Sequence, residues 1–311
     1  MKKMLALTII FIAVPSFFIL TNYEEEKNLE IKQEEKQKEK QNILIKVNQT
    51  SKNKIIEIDL EDYVRGVLAG EMPISFDIEA LKAQAVAART YGVKRISKTN
   101  KYDVVDTVMN QVYLDDETLK QKWGTNYETY MNKIKEAVEK TKGEYVDYNG
   151  TYADTLFFST SVGNTENSEE IFGTKVSYLR SVSSEWDEEV SPVYEEKNIF
   201  TRDTFCKKLG LTDCSKIYVN ILNETSTGRI KQIKINDKIF TGTEVAYYLG
   251  IRSNYFYIYI ENDNVVVKTK GFGHGVGMSQ YGAEGMSING YTYKEILEHY
   301  YQGTTIKNLY V

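Results

Sequence analysis

From residue 66 to residue 91 the chain reads GVLAGEMPISFDIEALKAQAVAARTY, and this segment predicts two helices joined by a short turn. The first helix begins upstream, because apolar residues recur at helical spacing from Leu60 and Asp59 is placed to cap the helix. We expect it to end in the GEMP turn at residues 70–73, since proline disfavours helical geometry in the residue before it. The second, alanine-rich helix is predicted from about Asp77 to Ile96.

Strand patterns lie on both sides of this helical pair. Lys54–Asp59 alternates like a strand, and a third helix is predicted over Tyr127–Lys140. Asn149-Gly150 predicts a hairpin between strands at Glu144–Asp147 and Thr151–Thr160, because both central positions of a type I′ turn need positive φ. Further strands are expected at Ile217–Leu222, Arg229–Ile235, Tyr255–Ile260 and Val265–Thr269, and a short helix around Tyr293–Tyr300. Mixed helices and antiparallel strands predict an α+β fold.

The first 42 residues have a different composition from the rest of the chain. After a basic start, the seventeen residues from Met4 to Leu20 are mostly apolar and would span roughly 26 Å as a helix, close to the hydrocarbon thickness of about 30 Å. We therefore predict a cytoplasmic stub (1–3), a single transmembrane anchor (4–23), a spacer rich in Glu, Lys and Gln (24–42) and one exported domain (43–311). A cleaved signal peptide is the alternative, although no small-x-small cleavage site follows the apolar run.

Charge and cysteine content limit the functional classes. The net charge is -5, which gives no support for non-specific binding to nucleic acid. Cys206 and Cys214 form a disulfide in an exported domain or remain two buried thiols, and the sequence leaves both possibilities open. The chain contains only two histidines, so a zinc site has few candidate ligands.

Glu71 is the first candidate for chemistry. It follows a glycine and precedes Met-Pro, which predicts a fixed, non-helical junction among apolar neighbours. A carboxyl in such surroundings has a raised pKa, and a raised pKa suits a general acid near neutral pH. The alternative is an ordinary surface glutamate near a helix end.

A second candidate segment, residues 271–283, reads GFGHGVGMSQYGA. Its first twelve residues contain five glycines, which permit unusual φ angles and close approach to a ligand, and its His, Ser, Gln and Tyr side chains can form hydrogen bonds. The pattern lacks the Lys-Ser/Thr of a phosphate-binding loop. The alternative is a tight connection between a strand and a helix.

These two segments, together with FFSTSVGNTE at residues 157–166, resemble the stage II sporulation protein D family of lytic transglycosylases, which is related to amidase enhancers. The resemblance covers residues 43–311. It implies cleavage of the glycosidic bond between N-acetylmuramic acid (MurNAc) and N-acetylglucosamine (GlcNAc) in peptide-stripped peptidoglycan, leaving 1,6-anhydro-MurNAc ends. It assigns the catalytic acid to Glu71. The substrate-binding positions that it implies are Lys82, Arg89, Tyr91, Ser161, Glu166, His274, Ser279, Gln280 and Tyr281.

Several alternatives stay open at this stage. Lys82 and Arg89 share a helix face, and they either face Glu71 and the substrate or are solvated charges. A non-catalytic enhancer that binds peptidoglycan for an amidase is the second functional candidate. A hydrolytic muramidase is the third, and it needs a second carboxylate, for which Glu166, Glu79 and Asp77 are the candidates.

The resemblance also bears on metals, partners and location. Some members carry His and Cys zinc ligands where this chain has residues 103–115, and DTVMNQ at 106–111 offers neither, so we predict no metal and no cofactor. The implied partners are glycan strands, stage II sporulation protein P and stage II sporulation protein M. The implied location is the membrane that engulfs the forespore, with the domain on the extracytoplasmic side. His299 receives no functional role and is expected on a surface or packed helix position.

Overall fold

The two helices predicted from residues 59–96 pack against each other in the computed structural model, which describes residues 42–310. The helices are α1 (Leu60–Glu71), α2 (Ile78–Arg95), α3 (Asp116–Trp123), α4 (Tyr127–Glu139), α5 (Ser168–Phe172), α6 (Trp186–Val190), α7 (Arg202–Leu209), α8 (Gly242–Leu249), α9 (Gln280–Ile288) and α10 (Tyr293–Tyr300). The strands are β1 (Leu44–Gln49), β2 (Lys54–Asp59), β3 (Val104–Val105), β4 (Glu144–Tyr148), β5 (Thr151–Tyr152), β6 (Phe157–Phe158), β7 (Glu195–Phe200), β8 (Val219–Glu224), β9 (Ile230–Ile235), β10 (Lys238–Thr241), β11 (Phe256–Glu261), β12 (Asn264–Lys270), β13 (Met278–Ser279) and β14 (Thr305–Asn308). The prediction of an α+β fold is confirmed.

Helix α1 begins at the predicted residue and ends at Glu71, within the predicted GEMP segment. The Asp59 side chain accepts a hydrogen bond from Glu61 N at 2.8 Å, which caps the helix. The prediction of a non-helical junction at Glu71 is wrong, since Glu71 is the last helical residue and Met72 N still donates to Leu68 O at 3.1 Å. The helix continues to Glu71 because proline restricts only the residue before it, which is Met72.

A glycine brings a neighbouring chain segment against the end of α1. A Cβ on Gly70 would lie 2.4 Å from the carbonyl oxygen of Val112, a distance that no real side chain tolerates. The absence of a side chain at Gly70 therefore allows the backbone at Val112 to pack directly beside Glu71.

Helix α2 is buried along most of its length. It packs against α1, α4, α9, α10 and β4, and residues on every side of the helix are buried, including the alanines. A helix that is surrounded by other elements buries polar residues along with apolar ones, and this burial determines the environment of Arg89.

The strands form small sheets rather than one large sheet. Their orders are β2-β1-β3, β14-β4-β5, β13-β6, β10-β9-β8 and β11-β12-β7. The predicted hairpin at Asn149-Gly150 is confirmed, with φ of 52° and 82° at the two residues. The predicted single strand Thr151–Thr160 is wrong, since only Thr151–Tyr152 pairs with β4, whereas Phe157–Phe158 pairs with β13. The β1–β3 and β6–β13 pairs are parallel, so the strands are not all antiparallel as expected.

A separate hydrophobic cluster lies between the sheets formed by β7–β12. Side chains of β9, β11 and β12 meet those of α7 and α8, and Phe205, Ile235 and Val265 are completely buried there. Cys206 and Cys214 beside this cluster form a disulfide, with Cα atoms 6.2 Å apart. Of the two possibilities left open for these cysteines, the structure shows the bonded one.

Several elements were not expected from the sequence, among them α3, α7, α8 and β7. The predicted anchor at 4–23 lies outside the described residues, as do the stub and nearly all of the spacer. Within residues 42–310, no helix has both the length and the apolar character needed to cross a bilayer.

Candidate active site

Both candidate segments of the sequence border the same cavity of about 520 Å³. Glu71 enters it from the end of α1, Tyr91 from α2 and Gln280 from the start of α9. The other lining residues belong to three loops or short strands, at 108–110, 155–159 and 272–274. The cavity therefore combines residues from the two ends of the described chain, and most of its wall is apolar or aromatic.

Glu71 is held by one hydrogen bond to its carboxyl group and one to its backbone carbonyl. Its Oε1 accepts a hydrogen bond from Val112 N at 2.6 Å, and its backbone carbonyl accepts one from Gln280 Nε2 at 3.2 Å. Burial raises the pKa of Glu71 above its ordinary value, and the bond from Val112 opposes this only in part. No cation contributes to the shift. The carboxyl group therefore keeps a proton to higher pH than an exposed glutamate does.

Tyr91 lies beside Glu71 in the cavity wall. Its hydroxyl accepts a hydrogen bond from Asn110 Nδ2 at 2.9 Å, and the Arg95 guanidinium stacks on its ring at 3.2 Å from the centroid. These contacts fix the ring and connect α2 to the 108–110 loop. The structure thus places Tyr91 among the cavity residues, where the sequence resemblance puts a substrate-binding side chain.

Among the described residues that line the cavity, the ionisable side chains are Glu71, Tyr91 and His274. Its Nδ1 accepts a hydrogen bond from Val276 N at 3.1 Å, so the neutral ring carries its proton on Nε2. Its ring lies 5.7 Å from that of Phe158 and 5.4 Å from that of Phe172. Burial, with a smaller contribution from the charge on Arg229, lowers the pKa of His274 to about 4. His274 is therefore neutral at physiological pH.

We expect the His274 ring to titrate near pH 4 rather than near the ordinary value of about 6.5. The measurement is an NMR pH titration of the two histidine rings of the chain, with His274→Gln and His299→Gln variants to assign the signals. A midpoint above 6 for His274 would contradict the burial and the neutral state described above.

The two polar residues that follow the glycine-rich loop differ in their placement. Gln280 reaches the cavity and binds Glu71, as described above. Tyr281 is not among the cavity residues: its ring packs edge-on against Phe76 at 4.9 Å, and its backbone N donates to Ser159 O at 3.0 Å. Tyr281 thus packs the start of α9 against the segment between α1 and α2, and the prediction that it binds substrate receives no support from its position.

Ser161 and Ser279 are buried and converge on Asp187, so their positions give no support to the expectation that they contact substrate. Asp187 Oδ2 accepts from Ser161 Oγ at 2.9 Å and from Ser184 Oγ at 2.6 Å, while its Oδ1 accepts from Ser279 Oγ at 2.5 Å and from Ser161 N at 2.9 Å. Burial raises the pKa of Asp187 although all these donors oppose the shift. The network ties the 157–166 segment to the glycine-rich loop, and sequence reasoning missed Asp187 because it lies in an acidic run typical of a solvated helix.

Glu166 is also buried and pairs with an arginine that the sequence did not single out. Its Oε1 lies 3.2 Å from Arg229 Nε and accepts a hydrogen bond from Thr227 Oγ1, and both charged side chains are completely buried. Burial raises the pKa of Glu166 to about 7, against the opposing effect of Arg229. Arg229 in turn donates from Nη1 to Gly273 O at 2.9 Å. The buried pair supports the glycine-rich loop from the protein interior through the bond from Arg229 to Gly273 O. Glu166 itself does not line the cavity.

The chain matches known proteins over most of its length. Residues 48–148 match the SpoIID family, described as Stage II sporulation protein. Stage II sporulation protein D of Bacillus subtilis (strain 168) is 42% identical over 271 residues, which cover 85% of this chain and 79% of the relative. This chain belongs to the stage II sporulation protein D family. The corresponding protein of Bacillus amyloliquefaciens is 40% identical over 85% of this chain and 78% of its own length. An amidase enhancer of Bacillus subtilis (strain 168) is 29% identical over 78% of this chain and 40% of its own length.

In this family member neither alternative proposed for Arg89 is correct. The side chain is completely buried, and its Nη2 and Nε bind the two carboxylate oxygens of Glu61 at 2.6 and 2.9 Å. Its Nη1 donates to the carbonyl of Glu144 at 3.1 Å. Arg89 therefore joins α1, α2 and the start of β4, and it faces neither solvent nor Glu71.

Lys82 and the remaining candidate carboxylates also lie outside the group of cavity residues. Lys82 Nζ binds Glu79 Oε1 at 2.5 Å and lies 5.5 Å from the centre of the Tyr293 ring. Glu79 Oε2 accepts from Tyr293 N at 2.9 Å, and Asp77 caps α2. His299 lies on α10, where its Nε2 is 2.7 Å from Ser183 O. These side chains connect α2, the 183–187 segment and α10.

Among residues 42–310, no three side chains of His, Cys, Asp or Glu are grouped as metal ligands. The expectation that the protein needs no metal stays a prediction.

Proposed function

We propose that this protein is a lytic transglycosylase that cleaves the MurNAc–GlcNAc bond of peptide-stripped peptidoglycan and leaves 1,6-anhydro-MurNAc ends. The observation that carries the proposal is the isolation of Glu71, which is the one carboxyl group that the described residues contribute to the cavity. Its raised pKa suits the donation of a proton to a leaving oxygen. Family membership supports a role in the cell envelope during sporulation.

One carboxyl group is sufficient for this reaction. Glu71 donates its proton to the glycosidic oxygen as the bond from that oxygen to C1 of MurNAc breaks. The 6-hydroxyl of the same MurNAc then bonds to C1, and its proton returns to the Glu71 carboxylate. No water is consumed and Glu71 ends protonated, ready for another cycle. Val112 N stabilises the carboxylate between the two proton transfers.

The neutral His274 and the aromatic walls contribute to substrate binding in this proposal. His274 is neutral and lines the cavity, so it contacts a sugar without adding a charge to the site. Phe158, Phe272 and Tyr91 provide flat apolar surfaces of the kind that pack against sugar rings.

A hydrolytic muramidase is less consistent with the geometry. Hydrolysis with retention or inversion requires a second carboxylate about 5 to 9.5 Å from the first. The three candidates, Glu166, Glu79 and Asp77, are all engaged elsewhere and do not line the cavity.

A peptidoglycan-binding enhancer is the second candidate, and the similarity to an amidase enhancer favours it. In that case the cavity would bind glycan without cutting it. The raised pKa and the exposure of Glu71 to a ligand-sized cavity favour the enzyme.

Location and partners belong to the same proposal. We propose that residues 4–23 anchor the chain, that residues 43–311 act outside the membrane during engulfment, and that stage II sporulation proteins P and M are its partners. An enzyme that removes stem peptides would supply the stripped glycan. Co-purification of the tagged full chain from sporulating cells, followed by mass spectrometry of the bound proteins, tests the partnership.

The test of the activity is mass spectrometry of the products after the full chain is incubated with purified peptide-free glycan strands. We expect 1,6-anhydro-MurNAc ends. Reducing MurNAc ends would identify a muramidase, and uncut strands that co-sediment with the protein would identify an enhancer. Each result separates the proposed enzyme from one of its alternatives.

A further inference from the structure

A second cleft of about 320 Å³ adjoins the catalytic cavity. Gly273 and His274 line both spaces, so this part of the glycine-rich loop is the wall between them. Phe172, Arg252 and Asn254 also line the second cleft. A polymer that passes the wall would therefore contact Glu71 in the cavity and Arg252 in the second cleft through different units.

The wall of the second cleft is held in place by a buried arginine in the protein interior. The completely buried Arg229 donates from Nη1 to Ser253 Oγ at 3.0 Å, to Asn254 Oδ1 at 3.0 Å and to Gly273 O at 2.9 Å. Gly273 N also donates to Arg252 O at 3.0 Å. One buried cation thus fixes the cleft residues relative to the loop that carries His274, as a preorganised binding site requires.

Arg252 presents a cation with unused donors to this cleft. Its side chain is 35% exposed, its guanidinium lies 5.4 Å from the centre of the Phe272 ring, and Nη2 lies 3.3 Å from Glu196 Oε1. Within residues 42–310 this ion pair is the one polar contact that its guanidinium makes. A guanidinium has five N–H donors, so a planar anion can still be bound by two parallel hydrogen bonds.

We propose that Arg252 binds the lactyl carboxylate of a MurNAc unit in the second cleft while the scissile bond lies at Glu71. The inference rests on the proposed function for the identity of the polymer. In a peptide-free strand each lactyl group ends in a carboxylate, whereas an attached stem peptide converts it into a neutral amide. Arg252 thereby favours stripped glycan, because an amide cannot form the same charge-assisted pair. Phe172, whose side chain is largely exposed in the cleft, provides an apolar surface for the sugar ring.

The test compares peptide-free glycan strands with the same strands after their lactyl carboxylates have been converted to amides. Binding of both is measured by fluorescence anisotropy, using the full chain with Glu71→Gln so that the strands stay intact. We expect the amidated strands to bind roughly tenfold more weakly. Adding Arg252→Gln should weaken binding of the carboxylate strands to that lower level and leave the amidated strands unaffected.

Arg202→Gln in the same background is the matched control. Arg202 also forms an ion pair, with Asp263 at 2.8 Å, but it lines neither the cavity nor the second cleft. We expect the control to retain the full preference for carboxylate strands. Equal binding of the two strands by the protein with Arg252, or equal weakening of both by Arg252→Gln, would overturn the inference.

The outcome is independent of the proposed activity. A protein that prefers carboxylate strands and never forms anhydro ends would refute the transglycosylase reaction and leave the role of Arg252 standing. A protein that forms anhydro ends but binds carboxylate and amidated strands equally would support the reaction and refute the role of Arg252.

Discussion

Glu71→Gln is expected to lower the rate of anhydro-end formation about a thousandfold, within the range of general acid catalysis. Glutamine has nearly the same shape as glutamate, and its carbonyl oxygen can still accept the hydrogen bond from Val112 N. An amide cannot donate a proton to the glycosidic oxygen or take one from the 6-hydroxyl. We therefore expect glycan binding and the free energy of unfolding to change little, while turnover measured by mass spectrometry of the products falls.

Glu284→Gln is the control for this substitution. Glu284 resembles Glu71 in that burial raises its pKa and it accepts a hydrogen bond from a backbone N–H, from Asp77 at 2.7 Å. It does not line the cavity. Turnover of the control should stay within about twofold of the unmodified protein, the range expected for a substitution away from the reacting atoms. Full turnover by Glu71→Gln would show that the acid lies elsewhere.

Arg89→Met is expected to reduce the free energy of unfolding by about 3 to 5 kcal/mol, the usual cost of breaking a buried ion pair. The substitution removes a completely buried cation that binds both oxygens of Glu61 and the carbonyl of Glu144. Glu61 would keep the hydrogen bond from Gly143 N but lose the opposite charge. Urea denaturation followed by circular dichroism measures the loss.

Lys94→Met on the same helix is the comparison for Arg89→Met. Lys94 binds Asp154 at 2.7 Å, but both side chains are more than 30% exposed, so its loss should cost at most about 1 kcal/mol. If Arg89 is structural, the folded fraction of Arg89→Met should cleave glycan at a nearly normal rate. Unchanged stability with abolished turnover would instead restore the substrate-binding role that the family resemblance implies.

Local signals in the sequence predicted α1, α2, α4 and α10 and the hairpin turn. Asp59 caps α1 as its position indicates, and Asn149-Gly150 forms its hairpin. These features depend on residues only a few positions apart. The cavity could be anticipated in part, because Glu71 and His274 lie in segments whose composition is unusual for a surface.

Interactions between distant residues could not be predicted in the same way. Helical spacing shows that Lys82 and Arg89 share a face, but not that other elements surround the whole of α2. Motif residues such as Ser161, Glu166 and Ser279 were expected to contact substrate, yet their partners are Asp187 and Arg229, which occur in stretches of ordinary composition. In this fold the motif residues therefore include buried side chains that hold the site in place as well as residues that line the cavity.

The hydrogen bond between Gln280 and Glu71 joins residues 209 positions apart. Contacts of such long range form late, since most of the intervening chain must first be ordered. During synthesis Glu71 emerges long before residues 272–280, which complete the cavity wall. In the proposed function, activity is thereby tied to completion of the polypeptide, and a fragment that ends before the glycine-rich loop is expected to leave the glycan uncut.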